Sequence, residues 1–371
     1  MKKRTCFLLL IFAGILFLGA VSAAGGDGGD PLISLSFLKN TFSSGIDRSV
    51  DGALEQSDQT LLNDANTQWN KILAVAEANA GSEHTAVFQE NRLKQNDILS
   101  GPTGLQVIVL AGSVKTEFSS GSVVDVTAGA EISSGSTLSL NHRYLVAENT
   151  TALFTAASKT AVVDYCGTYF LSLSASADYN AMASALKTLT LFRGSDTGFG
   201  QGFDLERAPT RTEALVMLIR LLGEEEEALA CTASHPFRDV DPWAAPYVAY
   251  AYQKGYSNGV STDMFGSSVS ASVQMYTEFI LRALGYSSTA QTDISDALTR
   301  AVSCGVITGS ERAALESGDF VRADVVYLSY YALEAVLSGE PFTLYEKLIS
   351  DGIFTSSDYR RATALVTTQR I

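Results

Sequence analysis

The chain has 371 residues, 46% of them apolar and 18% charged, and a formal net charge of −14. That apolar share suits packed globular cores, and the length suggests two or three domains. So acidic a chain excludes nonspecific nucleic-acid binding by counterion release, and it can meet an anionic polymer only where basic residues gather locally.

In chain order, Lys2, Lys3 and Arg4 precede the apolar run Cys6–Val21, and small residues follow around Val21–Ala24. Residues 1–24 are therefore predicted to be an export signal. The run is shorter than the ~20 residues of a membrane-spanning helix, and no later segment is apolar for long enough. No membrane span is expected after signal cleavage. Cys6 lies inside the run rather than after it, which argues against a lipoprotein. Cleavage takes three basic residues away, so the charge becomes −14 − 3 = −17.

Residues 25–84 are read as a linker, Gly25–Asp30, followed by a helical region from about Leu32 to Ala80. Leu54, Leu61, Ala65, Trp69, Ile72 and Ala76 recur on one helical face. That face either drives self-association as a short coiled coil or packs on the next domain.

Residues 85–174 change pattern. Leu105–Leu110, Ser122–Thr127, Thr137–Ala147 and Ala161–Leu173 are β-branched and aromatic runs, with Gly112, Gly121, Gly129 and Gly135 as turns between them. A small all-β sandwich or roll of about six to eight strands is expected. Cys166, Cys231 and Cys304 are far apart with no C-x-x-C spacing. They form either one disulfide with a spare thiol or buried small apolar positions.

Residues 175–338 read as helical and repetitive, in three units at about 178–234, 235–290 and 291–338, with a helical tail over 339–371. Aligning Gly223 with Gly285 gives an offset of 285 − 223 = 62, which also places Met217 on Phe279, Arg220 on Arg282 and Leu222 on Leu284. Gly255 and Gly259 align with Gly305 and Gly309. In the middle unit Phe237-Arg-Asp-Val leads through Trp243 into an amphipathic helix that Gly255 is placed to close. In the first unit Thr210-Arg-Thr-Glu213 has the spacing of a capping box. One such unit cannot bury its apolar stripe alone, but three packed around an axis can.

The segments Phe237–Gly259 and Ala208–Gly223 resemble the S-layer homology family, and the resemblance covers about the last half of the chain. It implies a C-terminal all-α pseudo-threefold bundle of helix–loop–helix repeats, which with the N-terminal helix and all-β sandwich or roll read from pattern makes an α+β multidomain chain. It also implies a non-catalytic protein, secreted and held at the cell wall or cell surface. Its repeats would bind anionic secondary cell-wall polysaccharide without covalent attachment. In the family the Arg of Thr-Arg-x-Glu faces a groove and pairs with anionic sugar substituents, typically pyruvylated ones, through its bidentate fork.

Arg211 and Glu213 match that motif, and Arg322 and Asp324 match it in the altered form Val-Arg-Ala-Asp. In the middle unit Ser272-Val-Gln-Met275 has lost both the Arg and the acid. Asp239 and Trp243 complete the candidate polysaccharide-binding set. Plainer readings stand beside each of these. Arg211 and Glu213 could merely cap and bridge a helix, Trp243 could belong to the core, and Asp239 could be a local Asx-type turn. With its anchors lost, the repeat set would instead serve a structural or protein-binding surface component.

Signals for catalysis fail. His84, His142 and His235 are isolated, and no metal or cofactor motif is found. Gly198–Gly202 is Gly-rich, but it lacks the Lys of a phosphate loop and reads as a flexible loop.

Overall fold

The structure, a computed structural model, describes residues 46, 49–50, 52–54, 56–67, 83–196, 201–286 and 294–371. The expected signal segment, the Gly/Asp linker, Trp69, Ile72 and Ala76 lie outside these residues. The chain divides into two units, Met1–Ala80 and Gly81–Ile371. In the first unit the described residues are helical, and Ile46, Val50, Leu54, Leu61 and Leu62 are exposed. Among the described residues no helix is long and apolar enough to cross a membrane.

The second unit opens with nine strands, β1 (Glu83–Lys94), β2 (Ile98–Pro102), β3 (Gln106–Ala111), β4 (Val114–Glu117), β5 (Ser122–Asp125), β6 (Ala130–Ile132), β7 (Arg143–Ala147), β8 (Thr151–Ala156) and β9 (Thr160–Ser172). They join in one antiparallel sheet of order β4-β8-β2-β9-β3-β7-β5-β6, with β1 also paired to β9. The 13-residue β9 is the organiser. Its first part lies between β1 and β3, with Tyr165 opposite both Gln89 and Val107, and its last residues pair β2 instead. One strand serving two neighbours in succession makes the sheet curl, so the region is a curled sheet rather than a sandwich of two sheets. The period-2 alternation sends Val107, Val109, Tyr144, Val146, Phe154 and Val163 inward. Cys166, Cys231 and Cys304 are free and partly buried, so no disulfide joins them.

Ten helices follow among the described residues: α1 (Tyr179–Thr188), α2 (Arg211–Leu221), α3 (Glu225–Leu229), α4 (Ala245–Lys254), α5 (Val273–Ala283), α6 (Ala297–Ser303), α7 (Gly309–Glu316), α8 (Arg322–Ala332), α9 (Leu344–Ser350) and α10 (Ser356–Thr363). Two-residue strands, β10 (Ser195–Asp196) and β11 (Gln201–Gly202), pair antiparallel, so the last two residues of the Gly-rich stretch are in a strand. The chain is thus mixed α+β, an antiparallel curled sheet followed by helices. The helices share one apolar core and the sheet has another. Between them Lys159, at the start of β9, gives its ammonium to both carboxylate oxygens of Asp324 at 2.6 Å and to the Asp319 carbonyl at 3.1 Å.

Helices α1, α4 and α6 end in the same closure. A left-handed residue is followed by an amide that reaches back to the carbonyl five residues earlier: Leu191 to Leu186, Tyr256 to Ala251 and Val306 to Ala301. Gly255 and Gly305 take the left-handed position at φ 74°, as the sequence suggests, but at the end of α1 Thr190 takes it at φ 64°. A β-branched residue there brings its Cβ against the next carbonyl, at a cost of about 1–2 kcal/mol. Thr190 is exposed, so its side chain has little packing to lose. Thr190→Gly is expected to raise unfolding stability by about 1 kcal/mol, read from urea denaturation followed by circular dichroism.

Candidate functional site

Helices α2, α5 and α8 each touch the other two. Each begins with a buried residue, Arg211, Val273 and Arg322 respectively. The starts of α2 and α8 are pinned by equivalent main-chain bonds. The Arg211 amide donates to the Val269 carbonyl at 2.8 Å, and the Arg322 amide to the Arg207 carbonyl at 2.9 Å. The two acceptors are again 269 − 207 = 62 residues apart.

The capping box of α2 forms as its spacing implies. Thr210 Oγ1 accepts from the Glu213 amide at 3.2 Å, and Glu213 Oε2 accepts from the Thr210 amide at 2.8 Å. Arg211 then turns inward, away from Glu213. Its Nη2 donates to Ser257 Oγ at 2.9 Å, and its guanidinium carbon lies 5.1 Å from the ring centres of both Phe265 and Phe279. Only 5% of the residue is exposed, and its Nε has no hydrogen-bond partner. Burial first, and then repulsion by Arg282, push its pKa down to about 10, while Asp239 opposes the shift. The group stays cationic at neutral pH. It lines a pocket of about 150 Å³ together with Arg282, Glu278, Phe279, Met275 and Val260.

Gly259 borders the same pocket at φ 76°, and a Cβ there would stand 2.4 Å from Phe237 and 2.6 Å from the Met264 carbonyl. No larger residue fits without moving the wall.

Asp239 is not a local Asx turn. Its Oδ1 accepts the Phe265 amide at 2.6 Å, and its Oδ2 accepts those of Gly266 and Ser267 at 2.7 and 3.2 Å. The carboxylate ties down a segment 26 to 28 residues away, the one whose Phe265 ring supports Arg211. Burial raises its pKa, and the three amide donors more than offset this, leaving it below the ordinary value.

Of the expected site residues only Arg211 lines this pocket. Glu213 is held outside by Arg207, with N–O distances of 2.7 and 2.9 Å, so it caps α2 and forms an ion pair at its start, as the plainer reading has it. Trp243 is 57% exposed, which corrects the core reading, and it does not line the Arg211 pocket. Asp324 is buried on Lys159 and accepts the Val321 amide at 2.9 Å. Since Val321 has no side-chain acceptor, α8 keeps only the acid half of a capping box. Burial raises the Asp324 pKa, against the pull of Lys159.

Arg322 is as buried as Arg211, but it is differently engaged. Its Nη2 donates to the Phe203 carbonyl at 3.3 Å, its Nη1 lies 3.7 Å from Met217 Sδ, and its Nε has no partner. Burial leads in lowering its pKa.

Ser257, Phe265, Phe279, Arg282 and Glu278 were not among the expected site residues. The 62-residue offset marked Phe279 and Arg282, but only as repeat positions. His142, read as isolated, lies just before β7 with Nδ1 2.7 Å from Asp125 Oδ2 at the end of the neighbouring β5. That carboxylate also accepts the Ala128 amide at 2.9 Å. Among the described residues no group of three His, Cys, Asp or Glu is placed to hold a metal ion.

No protein-family model and no curated protein matches the chain. Among solved structures it is similar to procruciferin, an 11S globulin from Brassica napus, at 12% identity over 23% of this chain and 22% of that one. The TM-score is 0.16, a likeness too slight to carry an argument.

Asp239→Ala would leave three amides without their acceptor. The expected loss is about 3 kcal/mol of stability, the upper range for hydrogen bonds to a charged group, measured by urea unfolding. Glu213 supplies a pH signature. Its bond to Arg207 leads in lowering its pKa to about 2. A carboxyl depressed on folding stabilises above its unfolded pKa, and that contribution is lost as pH falls from about 4.3 towards 2. Glu213→Gln should flatten stability over that window, removing about 1 kcal/mol at neutral pH once solvent screening of the exposed Arg207 is counted.

Proposed function

We propose that this chain is a non-catalytic, secreted cell-surface protein. Its S-layer-homology-like repeats would form a pseudo-threefold bundle that holds anionic secondary cell-wall polysaccharide without covalent attachment. The observation that carries this reading is Arg211, a buried guanidinium with an unpartnered Nε on a small pocket between two repeats. An isolated buried charge is costly, and an anionic substituent entering the pocket would offset that cost. Further support comes from the recurrence at 62 residues of both the helix starts and the carbonyls that pin them. Helices α2, α5 and α8 would be the three inner helices of the bundle.

A second reading has its own observation. Arg322 is turned onto Phe203 and Met217, Asp324 is spent on Lys159, and Val273 stands where the third Arg would be. On that reading the protein is a structural, self-associating or protein-binding surface component.

The test is retention of the mature protein on purified wall sacculi, with and without prior extraction of the polymer. Retention on untreated walls and its loss after extraction are expected, weakening as salt rises. Arg211→Ala should cost roughly ten- to a hundredfold in affinity, the range for a charge-assisted hydrogen bond, and Arg322→Ala clearly less. No retention on untreated walls, or retention indifferent to Arg211, favours the second reading.

A further inference from the structure

The segment that follows α10 is anchored by one side chain. Glu311, in the first turn of α7, is fully buried. One of its carboxylate oxygens accepts Arg370 Nε at 2.6 Å and the other accepts Arg370 Nη2 at 2.8 Å. Arg370 Nη2 also donates to the Val306 carbonyl at 3.3 Å. Tyr327 and Tyr331, one turn apart on the same face of α8, complete the seat. The Tyr327 hydroxyl donates to Glu311 Oε1 at 2.5 Å, and the Tyr331 ring centre lies 4.2 Å from the Arg370 guanidinium carbon. The next main-chain amide, of Ile371, donates to the Tyr327 hydroxyl at 3.0 Å. A planar fork held edge-on by a carboxylate and face-on by a ring selects a guanidinium over an ammonium.

Around that anchor the hold is light. Ala364, Leu365, Thr367, Gln369 and Ile371 are exposed. Val366 packs partly on the core, Thr368 Oγ1 accepts the Asp178 amide at 3.0 Å, and the Ile371 carbonyl accepts the Ser310 hydroxyl at 3.2 Å. A segment with so few buried contacts opens at a small fraction of the global unfolding free energy. The seat it leaves still calls for a cation. Burial raises the Glu311 pKa, and the bonds from Arg370, Tyr327 and the Thr308 amide more than offset this, leaving it below the ordinary value. Without Arg370 that carboxylate is a buried charge stripped of its partner, which is costly. Gln369, Arg370 and Ile371 also line a cleft of about 930 Å³, together with Leu315, Val321 and Lys159. A second chain reaching the seat therefore has room beside it.

We propose that Glu311, Tyr327 and Tyr331 form a recognition site for an arginine-bearing peptide segment of a partner protein, which residues 364–371 occupy in cis as a displaceable strap. The class of partner is read from the occupant, a guanidinium followed by a main-chain amide that meets Tyr327. The strap is tethered, so its effective concentration at the seat is high. A partner binds only in the fraction of molecules whose seat is empty, and its apparent affinity falls by that fraction. The site is thus autoinhibited. It lies apart from the Arg211 pocket and does not depend on the wall-binding reading.

The experiment follows, by fluorescence anisotropy, a labelled peptide with the sequence of residues 364–371 binding to the full mature chain. A second peptide carries citrulline for its arginine, which keeps the shape of the side chain and removes its charge. All variants are read at a temperature where circular dichroism shows them folded. Arg370→Ala unlatches the strap and should bind the arginine peptide about tenfold or more tighter than the wild type does. The citrulline peptide should bind neither protein. Adding Glu311→Gln to Arg370→Ala should abolish the gain, and the arginine peptide should raise the melting temperature of Arg370→Ala towards that of the wild type. Three results would each overturn the proposal: Arg370→Ala binding no better than the wild type, citrulline bound as well as arginine, or a gain that survives Glu311→Gln. Should Arg370→Ala not fold, Arg370→Lys decides. Tighter peptide binding than the wild type supports the proposal, and equal or weaker binding overturns it.

Discussion

The helical half of this protein depends on burying the first residue of each of its three mutually packed helices. A helix start leaves amide donors without intrahelical acceptors. Here the Arg211 and Arg322 amides reach carbonyls of a preceding or following repeat, Val269 and Arg207. Docking the backbone this way drives the side chain of the same residue into the contact between repeats. Where that residue is valine, as at Val273, it joins the apolar core. Where it is arginine, a guanidinium is carried into a water-poor place, and the surroundings must compensate.

The sheet is joined to the helices by different means. Their apolar cores are separate, so no shared hydrophobic surface sets the contact. A single Lys159 ammonium crosses to a nearly inaccessible Asp324 and to the Asp319 carbonyl. Breaking a buried ion pair by removing one partner costs far more than the pair's net worth, because a charge is stranded. The link is therefore strong as a constraint even if it adds little to stability. Its consequence falls on the third repeat. Asp324 is the acid of its Val-Arg-Ala-Asp motif, and the sheet holds that acid.

How much of this could be read from the sequence depended on the range of each interaction. The capping box at Thr210 and Glu213 spans three residues, and Gly255 closes its own helix; both were legible because the partners are local. The offset of 62 is carried by residue types, and the two carbonyls that pin α2 and α8 share it. The first repeat's opening helix was obscured at its end, since Thr190 holds a left-handed position that is ordinarily a glycine's. Strands β1, β2, β4, β6 and β8 were missed because their alternation is short or bulged, as between Thr85 and Gln89. Asp239 was misread because its partners lie 26 residues on, and only the tertiary fold brings them back.

The two arginine positions share a backbone setting and differ in what meets the guanidinium. At Arg322 the neighbouring repeat offers the Phe203 carbonyl and the Met217 sulfur, which engage N–H donors at the edge of the group. The equivalent residues beside Arg211, each 62 further on, are Phe265 and Phe279, so two rings at 5.1 Å stand there against the single Phe192 ring at 5.9 Å from Arg322. A ring quadrupole attracts a cation without accepting conventional hydrogen bonds from its edge. A carboxylate pairs with that edge, in the guanidinium plane. Replacing a sulfur by a phenyl ring thus changes what supports the buried charge, while Nε is left without a hydrogen-bond partner at both positions. What sets the Arg211 position apart is the space beside it, a pocket of about 150 Å³ that Arg211 of α2 lines together with Met275, Glu278 and Phe279 of α5.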